Sequence, residues 1–80
     1  MDATLLREAA RLAERGQGCA LAVVAAAKGS VPGKVGATML VMADGASRGS
    51  VGGAGLEERV KALCREAIGS GEGGVHVFDL

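Results

Sequence analysis

Residues 37–60 read ATMLVMADGASRGSVGGAGLEERV, and their order of signals decides the fold. Residues 37–42 are an apolar run of strand length. Ala43, Asp44 and Gly45 follow as a tight turn, because Asp and Gly tolerate positive φ. Residues 46–51 return as a short polar strand, so 38–51 predict a β-hairpin. The chain leaves it through Gly49-Ser50-Val51-Gly52-Gly53-Ala54-Gly55 and runs directly into a helix over 56–68. Leu56, Val60, Leu63 and Ala67 fall at i, i+4, i+7 and i+11, a single apolar stripe. Glu57 and Glu58 stand in its first turn, with Lys61 and Arg65 later, the polarity that the helix dipole favours. Glu57 and Lys61 also form a correctly oriented i, i+4 pair.

Upstream, residues 19–27 read CALAVVAAA. Continuous rather than alternating apolarity predicts a strand covered on both faces. Residues 3–15 predict an amphipathic helix. Leu5, Ala9 and Leu12 form its stripe, and Leu6, Ala10 and Ala13 widen it. Asp2 or Thr4 caps its start, and Gly16 and Gly18 end it. Arg7, Arg11 and Arg15 read as a solvated face rather than a binding stripe. Downstream, Gly69-Ser70-Gly71 stops the second helix, Gly73-Gly74 is a loop, and residues 75–80, VHVFDL, read as a last short strand. The expected fold is α/β (α+β) in one domain, 1–80. It has a small mixed or antiparallel sheet with two packed helices, in the order α-β-β-β-α-β.

Composition narrows what such a domain can do. Nine basic and nine acidic residues give zero net charge, which argues against nucleic acid or an anionic membrane as partner. No apolar run approaches the roughly 18 residues that span a bilayer. The first residues mix acids and bases with no signal-peptide pattern, and two cysteines are too few for a disulfide scaffold. A cytoplasmic location with reduced thiols is expected. Fifteen of the residues are alanine, and Phe78 is the one aromatic. A core this thin predicts a homo-oligomer, because a chain of this length barely balances burial against chain entropy.

Seven of the fourteen glycines cluster in two loops. The first, Lys28-Gly29-Ser30-Val31-Pro32-Gly33-Lys34-Val35-Gly36, joins the first two strands. Backbone N–H groups freed by glycine, together with two lysines, suit an anion. The second opens a helix, where unpaired N–H groups meet the positive end of the dipole. It is not a Walker A loop, since no Lys-Ser/Thr pair follows its glycines, and it gives no complete dinucleotide fingerprint. Spacing alone leaves a tight strand-to-helix turn open as the reason for these glycines.

Taken together, the loops are more specific. Lys28, Gly29, Ser30, Pro32, Gly36, Ala37, Met39, Leu40, Val41, Asp44, Gly45, Gly49, Ser50, Val51, Gly52, Gly53 and Glu57 stand in the order of a known pattern. On these residues the chain resembles the N-terminal domain of the XdhC/CoxI family, accessory proteins in the maturation of xanthine dehydrogenase and carbon monoxide dehydrogenase. The sequence departs from that family at four places. Gly33 replaces an arginine, Thr38 replaces a frequent basic residue, Ala54 replaces the third glycine, and Gly55 replaces the cysteine of the CoxI branch. Longer members continue into a Rossmann-type domain, and residues 1–80 are expected to be the N-terminal domain alone, without it.

The resemblance implies a chaperone that transiently binds the molybdenum cofactor (molybdopterin), protects it while its sulfido ligand is installed, and delivers it to a molybdenum hydroxylase apo-enzyme. A cysteine desulfurase and a separate Rossmann-domain protein are further implied partners. The expected cofactor-binding residues are Lys28, Gly29, Ser30, Lys34, Ser50, Gly52, Gly53 and Glu57. Catalysis is not expected. His76 alternates with two valines and has no second base nearby, Cys19 and Cys64 read as packed thiols, and Ser30 and Ser50 lack a triad partner. No spacing suits a metal. Two other readings stay open: an interaction or oligomerisation module that has lost its ligand site, and a subunit that works in trans with a Rossmann protein.

Overall fold

Helix α1, Ala3–Glu14, starts where the sequence supplies a cap. The Asp2 carboxylate accepts from the N–H groups of Thr4 and Leu5, at 2.8 and 3.3 Å. Strands β1 (Cys19–Val23), β2 (Thr38–Met42) and β3 (Ser47–Gly49) follow, then α2 (Ala54–Ser70). The computed structural model describes residues 1–28 and 34–78. The three strands form one antiparallel sheet in the order β1-β2-β3. Ala20 faces Val41 and Ala22 faces Met39 across the first pair, and Leu40 faces Arg48 across the second.

The two helices cover opposite faces of this sheet. Met39 and Val41 point to one face, where Val51, Val60 and Cys64 are buried with them and Ala20, Ala22, Val24 and Leu56 pack alongside. Alternation along the strand sends Leu40 to the other face. Helix α1 lies there, with buried Leu5, and it reaches the hairpin through an ion pair of Glu8 with Arg48 at 2.8 Å. Strand β2 is thus sealed on both sides, and Met39, Leu40 and Val41 are wholly inaccessible to solvent. Alanines in β1 let α2 approach closely, which is why a chain with one aromatic closes a core at all.

Several boundaries differ from the sequence expectation. The first strand ends at Val23, not at residue 27. The Val24 N–H still reaches the Ala37 carbonyl, and the Gly36 N–H reaches the Val24 carbonyl, and there the ladder stops. Ala25, Ala26 and Ala27 are exposed, and among the described residues no strand pairs with them. Helix α2 gains two residues at each end, and the left-handed Gly71 closes it by donating to the Ala67 carbonyl at 2.8 Å. Of the apolar residues of α1, only Leu5, Ala9 and Leu12 face inward. Leu6 is 47% exposed and Ala10 and Ala13 are exposed too, since the narrow sheet offers nothing for a wider stripe to cover.

The expected last strand is also corrected. Residues 75–78 pair with no strand, and Val75 and Val77 are 92% and 93% exposed. The segment is held instead by Phe78, which packs against the core cluster and lies under the Arg59 guanidinium, 4.5 Å from the ring centroid. Aromatic burial and a cation–π contact outweigh backbone pairing there. Asp79 and Leu80 lie outside the described residues. The order among the described residues is therefore α-β-β-β-α, and the sheet is antiparallel rather than mixed.

Candidate functional site

Thr38 gathers one end of the sheet. It is buried, and three segments meet on it. Its hydroxyl accepts from the Asp2 N–H at 3.2 Å and donates to the Gly36 carbonyl at 2.9 Å. Its own carbonyl accepts from the Ser50 N–H at 3.1 Å. The end of β1, the start of β2, the end of β3 and the N-termini of both helices therefore share this end. Both glycine loops leave from it. The opposite end is marked by Gly18, where a Cβ would lie 2.9 Å from Ile68 near the C-terminus of α2.

Ser50, Gly52, Gly53 and Glu57 form one hydrogen-bonded knot at the start of α2. The Glu57 carboxylate accepts from the Ser50 hydroxyl and from the Gly53 N–H, the latter at 3.0 Å. The Ser50 hydroxyl oxygen accepts from the Gly52 N–H at 3.2 Å. The Ser50 hydroxyl, followed by the amides of Gly53, Gly52 and Val51, holds the Glu57 carboxyl below the ordinary glutamate range. The amides that glycine exposes at this helix terminus are thus turned on the chain's own anion. Helix α1 carries the same device in Asp2, so each helix dipole has a carboxylate at its positive end.

Of the other expected site residues, Lys34 lies at this end of the sheet. Its carbonyl accepts from the Ala37 N–H at 2.9 Å in the turn that leads into β2, and it is exposed. Lys28 is exposed beyond the end of β1. Gly29 and Ser30, with residues 31–33, lie outside the described residues. Two positions outside the expected site residues also shape this end. Val51 is buried and pins the second loop to the core, and its isolated apolar side chain among glycines was the available signal. Thr38 ties both loops to α1, and only the strand register shows that.

The knot holds an anion and positions hydroxyl and amide donors around it. It contains no imidazole or thiol. His76 lines a shallow groove along the C-terminal half of α2 with Leu63, Glu66 and Glu72. Cys64 is buried, which pushes its thiol pKa up. Cys19 lies on the α1 side, with its sulfur 3.9 Å from the Ala9 carbonyl. Among the described residues no cluster of three or more potential metal ligands occurs, and no helix is long and apolar enough to cross a membrane.

The model of the XdhC and CoxI family matches residues 12–79 of this chain. The chain belongs to that family, which is associated with accessory proteins of xanthine dehydrogenase and carbon monoxide dehydrogenase. The match spans both glycine loops and both faces of the sheet. No curated protein and no solved structure matches the chain.

Proposed function

We propose that this member of the XdhC and CoxI family is a non-catalytic accessory domain that holds the molybdenum cofactor during maturation of a molybdenum hydroxylase. One observation carries the reading: the end of the first glycine loop at Gly36, the start of the second at Ser50 and the N-terminus of α1 are tied through Thr38 at one end of the sheet, where α2 also starts. The cofactor brings a phosphate. Lys28 and Lys34, both exposed, would neutralise it. Ser50, Gly52 and Gly53 would supply donors, and the Glu57 carboxylate marks where a negative group is held in the closed knot. Gly29 and Ser30 belong to the same proposed site by their place in the first loop. For the phosphate to use the Gly53 amide, Glu57, half-buried in the closed knot, must swing out. The apo-hydroxylase would be the receiving partner, with a cysteine desulfurase or a separate Rossmann-domain protein acting beside it.

A second reading is favoured by the same knot. With Glu57 already satisfying the Ser50 hydroxyl and the Gly53 amide, the domain would serve only to bind another protein. Purification from the native host separates the two. The cofactor reading predicts molybdenum and pterin fluorescence with the wild-type chain and their loss in a Lys28→Ala/Lys34→Ala double variant. Co-purification of a hydroxylase with neither signal would support the interaction reading instead.

A further inference from the structure

The sheet has two edges, and they are unlike. At β3 the edge is three residues long, carries Arg48, and ends on Gly49 at φ 80°. A short, charged, bent edge is protected from further pairing. At β1 nothing of the kind is present. Residues 18–27 contain no charged residue and no proline. The ladder fixes which backbone groups are free. Gly18 accepts from the Ala43 N–H, and Val24 both donates to Ala37 and accepts from Gly36. Antiparallel pairing alternates, so Gly18, Ala20, Ala22 and Val24 spend their groups on the β2 side. The N–H and C=O of Cys19, Leu21 and Val23 point outward, and among the described residues no strand pairs with them.

These three positions are symmetric about Leu21. We propose that the outer edge of β1 is the seam of a twofold dimer, in which β1 of a second copy of this chain pairs antiparallel. Leu21 meets Leu21 of the second copy, and Cys19 meets its Val23. The pairing makes about six backbone hydrogen bonds and joins two three-stranded sheets into one. A strand edge with outward groups placed evenly about one residue is self-complementary, as a twofold interface requires. The absence of charge along 18–27 leaves nothing to select a different partner, and two uncharged edges meet without repulsion. The seam runs between the ends of the sheet, so it does not depend on what the glycine end binds.

Sedimentation of the whole chain at micromolar concentration, combined with amide hydrogen exchange, tests the seam. The expected result is a doubled mass that dissociates on dilution. Amides of Cys19, Leu21 and Val23 should exchange faster as the dimer dissociates, while those of Ala20 and Ala22 stay protected. Val23 is 37% exposed, so Val23→Lys is expected to fold by circular dichroism and to sediment at the single-chain mass. Val23→Pro removes an outward N–H and should act alike. The exchange pattern of the wild-type chain needs neither variant. A single-chain mass at every concentration would overturn the proposal. So would a dimer that leaves the three amides unprotected, a folded Val23→Lys dimer, or three amides already protected in the monomer.

Discussion

At the residue scale, the glycine end is held by a few atoms whose removal is measurable. The Thr38 hydroxyl accepts from α1 and donates to the turn before β2, in a buried position. Thr38→Val keeps the shape and strands both partners, so we expect a loss of about 1–3 kcal/mol in urea unfolding. Gly49 has φ 80°, and a Cβ there would meet the Thr38 carbonyl oxygen at 2.4 Å and a Leu5 methyl at 2.7 Å. Gly45 has φ 92° with open space around it. Gly45→Ala should therefore cost about 1 kcal/mol, the strain alone, and Gly49→Ala distinctly more, because backbone must move. Equal losses for the two would mean that the crowding at Gly49 is absent. Glu57 is held below the ordinary glutamate range, first by the Ser50 hydroxyl. A lowered folded value favours the closed knot above the ordinary glutamate pKa, and that advantage fades as pH falls through the folded value. In an NMR titration the Gly53 amide should shift with a midpoint below that of a free glutamate. Burial of Cys64 gives a further expectation: native chain treated with iodoacetamide should alkylate at half-buried Cys19 well before Cys64.

At the scale of elements, what could be read from the sequence follows how local its cause is. The hairpin, the start of α2 and the cap of α1 were legible because turn chemistry and the Asp2 carboxylate act within a few residues. The length of β1 was not, since the ladder stops just before β2 begins, at Gly36 and Ala37. The tail misled for a related reason. Alternation in VHVF describes a strand, but pairing needs an edge within reach, and Phe78 finds the core instead. If that account of the tail holds, Phe78→Ala should release residues 72–78 with little effect on the sheet. Proteolysis there should speed up while strand amides keep their protection; strand amides losing protection equally would contradict it. In the site, Ser50, Gly52, Gly53 and Glu57 were grouped through the family resemblance, and the structure joins the four by hydrogen bonds. Spacing did not say that Glu57 takes the amides itself, because a carboxylate one turn into a helix and an incoming phosphate compete for the same donors.

At the scale of the whole molecule, the layering of helix, sheet and helix makes one end of a small domain distinctive. Both helices start there, both loops leave there, and each dipole is already capped by a carboxylate. Lys34 stands at that end and Lys28 follows β1 toward it, in a chain with no net charge, so the proposed anionic guest would be drawn by local rather than overall charge. Binding should accordingly weaken as salt rises. The most direct test is a titration of molybdopterin cofactor into the isotope-labelled chain, followed by amide NMR. The account predicts saturable shifts at Ser50, Gly52 and Gly53, absent in the Lys28→Ala/Lys34→Ala variant. Saturable binding that leaves those three amides unmoved, or no binding at all, would contradict it.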